Sequence, residues 1–442
     1  MPVISAALIV RNESARLRDC LNSLQGVADD IVVVDTGSTD DTAAIAWSFT
    51  SRVFHFAWGE DFAAARNYAA GQARGDFVLS IDADECLDNP AEARRSLEVF
   101  IGLHDADTVG TVEIVNLTGP GPEWQEVVDH TERFFRRDRC RFEGAIHEQI
   151  VIEAGRKKSA PTGVRLRHYG YAQEPGAPDH KARRNIPILE RELAAHPDDE
   201  YFAYQLGKAF FSLQEYASAI GALETALYHI RFASGEAPRG RLGDVSRKVL
   251  TDLVVTLAYV YVNAGRTQEA AAHLERHAAL GHAGCRRADF PHAQGYAYLM
   301  LGDVARSRAA YLASLEFGPD GEDVRGSGSF SSAYHLGLLS EAEKDLGVAL
   351  GWHLQALRFK PDYAPVLRRC ADLVTEYRVV LPREIWEAAD QAAFTRSYGE
   401  RLLKHAEQGR NAEASLMIEV ARALSPALLA DCRKMLAANG HE

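Results

Sequence analysis

The sequence predicts a largely parallel α/β domain over residues 1–175, followed by an all-α repeat array over residues 176–442. Three observations carry this reading. Near-continuous apolar runs alternate with helix-patterned stretches up to about residue 175. Strand signals then vanish, and Ala, Leu and Tyr recur at helical spacing. Finally, a triple of small or apolar residues returns at the same offsets through the second half.

The strand runs are "ISAALIV" (4–10), "DIVVVD" (30–35), "RVFHFAW" (52–58), "DFVLSID" (76–82) and "TVGTVEIVNL" (108–117). Their lack of alternation is what burial on both faces produces. Between them "SARLRDCLNSLQG", "TDDTAAIAWSF", "DFAAARNYAAGQARG" and "NPAEARRSLEVFIG" carry helix spacing and caps. Residues 108–172 are richer in strands, so antiparallel additions should end the sheet. In the second half "YQLGKAFFSLQEYASAIGALETAL" (204–227) resembles a tetratricopeptide repeat. Its triple Ala219, Leu223, Ala226 returns as Ala270, Leu274, His277, as Ser307, Tyr311, Ser314, as Ala349, His353, Ala356 and as Ala414, Ile418, Ala421. Small residues let paired helices approach closely, and Pro319, Pro361 and Pro426 follow three of the triples, where a helix must stop. "APRGRLGD" (237–244) and "GPDGEDVRGSGSF" (318–330) read as loops between hairpins.

Composition narrows the function. Of the 442 residues 47% are hydrophobic and 25% charged, and the net charge of −13 excludes a generic nucleic-acid surface. The six cysteines are scattered without a C-x-x-C pair, so structural zinc is not expected and a reduced, cytoplasmic protein is. Neither a signal peptide nor a membrane span is expected.

In open α/β sheets ligands gather outside the carboxyl ends of strands. Three charged features stand there. Arg11, Asn12 and Glu13 follow the first strand; Asp35 ends the second, with Gly37 permitting a tight turn; Asp82 and Asp84 stand at the end of the next, in "SIDADE". On an extended backbone alternate side chains share a face, so Asp82 and Asp84 should point the same way and need a cation between them. Oxygen ligands suit Mg²⁺ or Mn²⁺, which complete their shells with water and substrate phosphates. Arg66 and Asn67 lie on the helix before that strand, and an arginine offers a diphosphate several donors.

"ISAALIVRNE", "IVVVDTGSTDDT", "FAAARN" and "GDFVLSIDADE", in that order, resemble the family 2 glycosyltransferases, whose GT-A fold is a Rossmann-like nucleotide-sugar-binding domain. The resemblance covers about residues 1–172. With a tetratricopeptide-like tail, the chain is similar to a branch that includes bacterial protein and peptide glycosyltransferases, the glycocin S-glycosyltransferases among them. It implies a metal-dependent, inverting transfer from a nucleotide-sugar, a UDP-sugar being the first expectation, to a peptide or protein. Val10, Arg11, Glu13, Asp35 and Gly37 would hold the nucleoside end. Asp82, Ala83 and Asp84 would form the D-x-D motif, with Asp82 and Asp84 on Mg²⁺ or Mn²⁺ and Arg66 and Asn67 toward the diphosphate. "RFFRRDRCRFEGAIHEQI" and "RLRHYGY" resemble further segments of this branch, which offers His147 and His168 as metal ligands and Glu148, then Glu143, as the base that takes the acceptor proton. The chain departs from the common V-D-D-G-S pattern at Thr36, and it has no clear E-D pair or Q-x-x-R-W motif, so polysaccharide synthesis is not expected. The helical half is expected to recognise the acceptor or pair two subunits as a homodimer. The rival readings are a small-molecule or glycan acceptor and a non-catalytic nucleotide-binding scaffold.

Overall fold

The computed structural model describes residues 3–118, 125–153, 155–171, 177–233, 246–281, 283–322 and 324–441. It divides into two compact units, Met1–Glu215 and Tyr216–Glu442.

The first unit is built on an eight-stranded sheet. Its strands are β1 (Ile4–Val10), β2 (Asp30–Asp35), β3 (Val53–His55), β4 (Phe77–Ser80), β5 (Glu85–Leu87), β6 (Thr108–Thr118), β7 (Gln125–Arg136) and β10 (Lys158–Tyr171), in the order β3-β2-β1-β4-β7-β6-β10-β5. β1, β2, β3 and β4 pair in parallel, whereas β7 runs antiparallel to both β4 and β6. A separate hairpin joins β8 (Cys140–Glu143) to β9 (Gln149–Ile152). The helices are α1 (Leu17–Ser23), α2 (Thr42–Phe49), α3 (Phe62–Gln72) and α4 (Pro90–Leu103). Two apolar layers explain the unbroken runs. Ile4, Leu8 and Leu79 pack with Leu17, Leu21, Leu97 and Phe100 on one face. Ala7, Val32, Val34 and Val78 pack with Ala69, Phe135 and Phe142 on the other. The starts of α3 and α4 follow from their caps: Asp61 accepts from the Ala64 amide at 2.8 Å, and Asn89 precedes Pro90. The run expected over 52–58 is strand only at Val53–His55, and the three-residue β5 was not anticipated.

The expected division after residue 175 falls outside the described residues, as does the loop 237–244. Local structure does change from strand to helix there, between Tyr171 and Ala177. The compact unit nevertheless runs on to Glu215, because α5 (Ala177–Ala195) and α6 (Glu200–Ser212) fold onto the sheet-bearing half. Arg191 of α5 pairs with Glu60 at 2.9 Å, and Tyr201 of α6 meets the His147 ring edge-on at 5.9 Å.

The second unit is helical among its described residues. It holds α7 (Tyr216–Ala233), α8 (Ser246–Asn263), α9 (Thr267–Leu280), α10 (Asp289–Leu301), α11 (Val304–Phe317), α12 (Phe330–Ala342), α13 (Leu346–Phe359), α14 (Ala364–Tyr377), α15 (Arg383–Ala388), α16 (Gln391–Glu407), α17 (Asn411–Leu424) and α18 (Pro426–Ala438). Each recurring triple lies on the second helix of a hairpin, and those on α7, α9, α11 and α13 are fully buried. Glycine on the first helix makes room for the middle residue of a triple. A Cβ at Gly295 would stand 2.8 Å from the Tyr311 ring, and one at Gly337 would stand 2.7 Å from His353 Nδ1. No described helix is long and apolar enough to cross a membrane, and all six cysteines are free thiols.

Candidate active site

The carboxyl ends of β1 and β4 open onto a cavity of about 450 Å³, closed on another side by α5. Val10, Arg11 and Glu13 line it after β1, and Asp82, Ala83, Asp84 and Glu85 line it after β4. Arg66, His147 and His168 complete the expected residues found there. The loop after β1 is pinned to the loop after β2: Asn12, at a φ of 57°, accepts from the Thr39 amide at 2.8 Å, and the Glu13 amide donates to Thr42 at 2.7 Å. Burial chiefly, and then the charge of Asp84, push the Glu13 carboxyl up to about 7.

Asp82 and Asp84 do not share a face. Residues 82–85 form a turn closed by the Glu85 amide on the Asp82 carbonyl at 3.1 Å, so the strand alternation stops before them. Arginines donate to both Asp82 oxygens, Arg66 Nη2 at 2.8 Å and Arg133 Nη2 at 2.9 Å. Burial alone would raise its pKa, but the Arg133 and Arg66 guanidiniums hold it far below the ordinary carboxylate range. Arg66 also donates to Ser80 at 2.9 Å and to Glu148. Arg133 also donates to Glu85 at 3.0 Å. Glu85 is buried, which pushes its carboxyl up to about 7 against the pull of Arg133. Two buried arginines thus hold three carboxylates, Asp82, Glu85 and Glu148, in one ion network at the cavity, and removing any one partner strands a buried charge.

Asp84 faces the other way. Its Oδ2 lies 3.1 Å from His168 Nε2, because β5 pairs with β10 and sets His168 opposite Glu85. His168 Nδ1 lies 2.6 Å from Asn116 Oδ1, and Asn116 Nδ2 donates to Asp129 at 3.0 Å. With the Asn116 amide so oriented, Nδ1 donates to its oxygen while Nε2 faces Asp84, whose hydrogen bond and charge raise the His168 pKa against burial. The donor set fits a divalent cation: one carboxylate and one oriented imidazole, with places left for phosphate oxygens and water. Among the described residues no three His, Cys, Asp or Glu side chains gather as ligands.

Other expected residues stand elsewhere. Asp35 and Gly37 do not line the cavity; Asp35 Oδ1 accepts from the Gly37 and Ser38 amides at 3.1 and 2.8 Å and shapes the turn, leaving Thr36 on the wall. Asn67 is spent on Phe142, with bonds of 2.9 and 2.8 Å that bind α3 to β8. Glu148 does not line the cavity and pairs with Arg66. Glu143, half-buried on β8, pairs with Arg141 and does not line the cavity. His147 lines the wall at a left-handed φ of 53°, with its imidazole pKa lowered by burial. Sequence reasoning missed Asn116, Asp129, Lys181, Arg184 and Asn185, all on the wall.

Residues 5–160 match the family model described as glycosyl transferase family 2. The TPR repeat-containing protein Synpcc7942_0270 of Synechococcus elongatus is 34% identical over 224 residues, which are 47% of this chain and 52% of that protein. The SPbeta prophage-derived glycosyltransferase SunS of Bacillus subtilis is 29% identical over 238 residues, 51% of this chain and 53% of that protein. The chain therefore spans about half the length of these curated relatives. Among solved structures, MamA 41-end from Desulfovibrio magneticus RS-1 covers 42% of this chain and 88% of its own at 16% identity and a TM-score of 0.31. The match to the glycosyl transferase family 2 model thus lies in the sheet-bearing part of the chain, ahead of the helical array.

Proposed function

We propose that the first unit moves a sugar from a nucleotide-sugar, with inversion at the anomeric carbon, to a peptide or protein acceptor. One observation carries this reading: the ends of β1 and β4 and the His168 strand meet at one cavity, where Asp84 and His168 stand 3.1 Å apart. A UDP-sugar with Mg²⁺ or Mn²⁺ is the donor pair to test first. A cation held by Asp84 and His168 would supply positive charge to the diphosphate oxygens. The loop Val10–Glu13 receives the nucleoside, and Trp58 and Phe62, edge-to-face at 4.8 Å, cover one side of the pocket against water. Asp129 takes the acceptor proton. Among the described residues it makes a single hydrogen bond, from Asn116, and pairs with no cation. The stacked hairpins of the second unit offer the kind of extended surface on which peptides are held.

The reading is tested by thermal denaturation with UDP-, GDP-, ADP- and dTDP-sugars, with and without Mn²⁺. A metal-dependent rise in Tm with one of them is expected, since a ligand of the folded state stabilises it by mass action. No shift with any would overturn the reading. Asp129→Asn should lower kcat by about a hundredfold, as loss of a general base does, and leave the donor-induced Tm shift intact. Loss of that shift would place Asp129 in the donor site instead.

A further inference from the structure

Among the described residues, five cations line the cavity: Arg11, Arg66, Arg133, Lys181 and Arg184. Arg66 and Arg133 are buried and committed to Asp82, Glu85 and Glu148. A diphosphate could take them only by leaving buried carboxylates uncompensated. Of the other three, Arg11 stands on the loop after β1, and helix α5 supplies two. Lys181 and Arg184 stand three residues apart, on neighbouring turns of one helix face, and both reach the wall. Arg184 lies over the Phe62 ring, 5.0 Å from its centroid, and its Nε donates to Asn185 Oδ1 at 3.1 Å. Its Nη1 and Nη2 make no hydrogen bond among the described residues, and Arg184 is one of the residues lining the cavity. Arg184 feels the charges of Glu13, Asp82 and Asp84, and Lys181 those around Glu13 and His168. Both cations line the same cavity as the loop after β1 and the Asp84–His168 pair.

We propose that α5 is a leaving-group clamp: Arg184, assisted by Lys181, binds the diphosphate of the donor and neutralises the charge it gains during transfer. This rests on the glycosyl-transfer reading above. In the step, the acceptor oxygen or sulfur bonds to the anomeric carbon and the bond from that carbon to the distal phosphate oxygen breaks. The electron pair stays on that oxygen, facing Arg184, and the acceptor proton goes to Asp129. A planar guanidinium stacked on an aromatic ring suits two phosphate oxygens better than a single ammonium would.

The test is titration calorimetry of the full chain with UDP and Mn²⁺ (GDP and ADP in parallel), and with uridine alone. Arg184→Ala should weaken nucleoside diphosphate binding by about tenfold to a hundredfold, the scale of a lost charge-assisted bond. Nucleoside binding and the Tm of the free protein should not change, because Arg184 is exposed on α5. Lys181→Ala should give a smaller loss, and Arg184→Lys a partial recovery. Each alanine variant should also flatten the salt dependence of diphosphate binding. Unchanged diphosphate affinity in both alanine variants would overturn the clamp alone, as would equal weakening of nucleoside and diphosphate. Failure of the wild-type chain to bind any of the three diphosphates would overturn the glycosyl-transfer reading itself.

Discussion

Asp84→Ala is expected to lower transfer by about three orders of magnitude or more, since charge stabilisation of a diphosphate by a metal is worth several kcal/mol. The protein should stay folded: Asp84 lies in a turn, and its side chain supports no core residue, only His168. His168 keeps its bond to Asn116, so the imidazole remains oriented in the variant. Two measurements check this. Turnover should fall with donor and acceptor saturating, and the Mn²⁺-dependent part of the donor-induced Tm shift should disappear while any metal-independent part survives. An Asp84→Ala variant with its Mn²⁺ response intact would show that the cation is held elsewhere. Asp84→Asn separates charge from shape and should behave like the alanine variant.

Arg66→Met should be the most destabilising single change at the site, by about 3–5 kcal/mol, the usual cost of removing one partner from a buried ion network. Arg66 is 8% exposed, and its loss leaves Glu148 without its guanidinium and Asp82 with Arg133 alone. Methionine keeps much of the volume, so the effect reports charge and not a cavity. Urea denaturation gives the number. The double variant Arg66→Met/Glu148→Gln should recover part of the loss, because the stranded carboxylate is removed with its partner. A single variant within about 0.5 kcal/mol of wild type would mean that the network is solvated. Removing Glu148 alone should cost less than removing Arg66, which serves three acceptors.

What could be read from the sequence is what local pattern encodes. The run 4–10 is buried on both faces, as its composition says, and Asp61 caps the helix that carries Arg66. Ala219, Leu223 and Ala226 mark a helix–helix contact because only small or well-shaped residues fit there. The alternation rule failed at Asp82 and Asp84 because it presumes an extended backbone, and a turn intervenes. Pairing Arg66 with Glu148 joins residues far apart in sequence, and no spacing announces it. His168, by contrast, was found through its flanking residues, whereas the Asn116 that orients it and the Asp129 beyond depend on how β6 and β7 pair. Lys181 and Arg184 were hidden by their helix, which the repeat pattern assigns to the other half of the chain.

The extension of the first compact unit to Glu215 bears on how such chains can be recombined. A chimera spliced where the last strand ends would exchange α5 along with the foreign repeats, and Lys181 and Arg184 would be replaced by whatever the donor array carries at those places. The resulting hybrid would have an intact sheet, an intact Asp84–His168 pair and an electrically altered pocket. A splice after Glu215 keeps the whole charge lining together and lets the remaining hairpins vary independently. Diversification of acceptor range by repeat shuffling is thus compatible with a constant chemical centre only when the crossover point lies inside the helical stretch, past its first two helices.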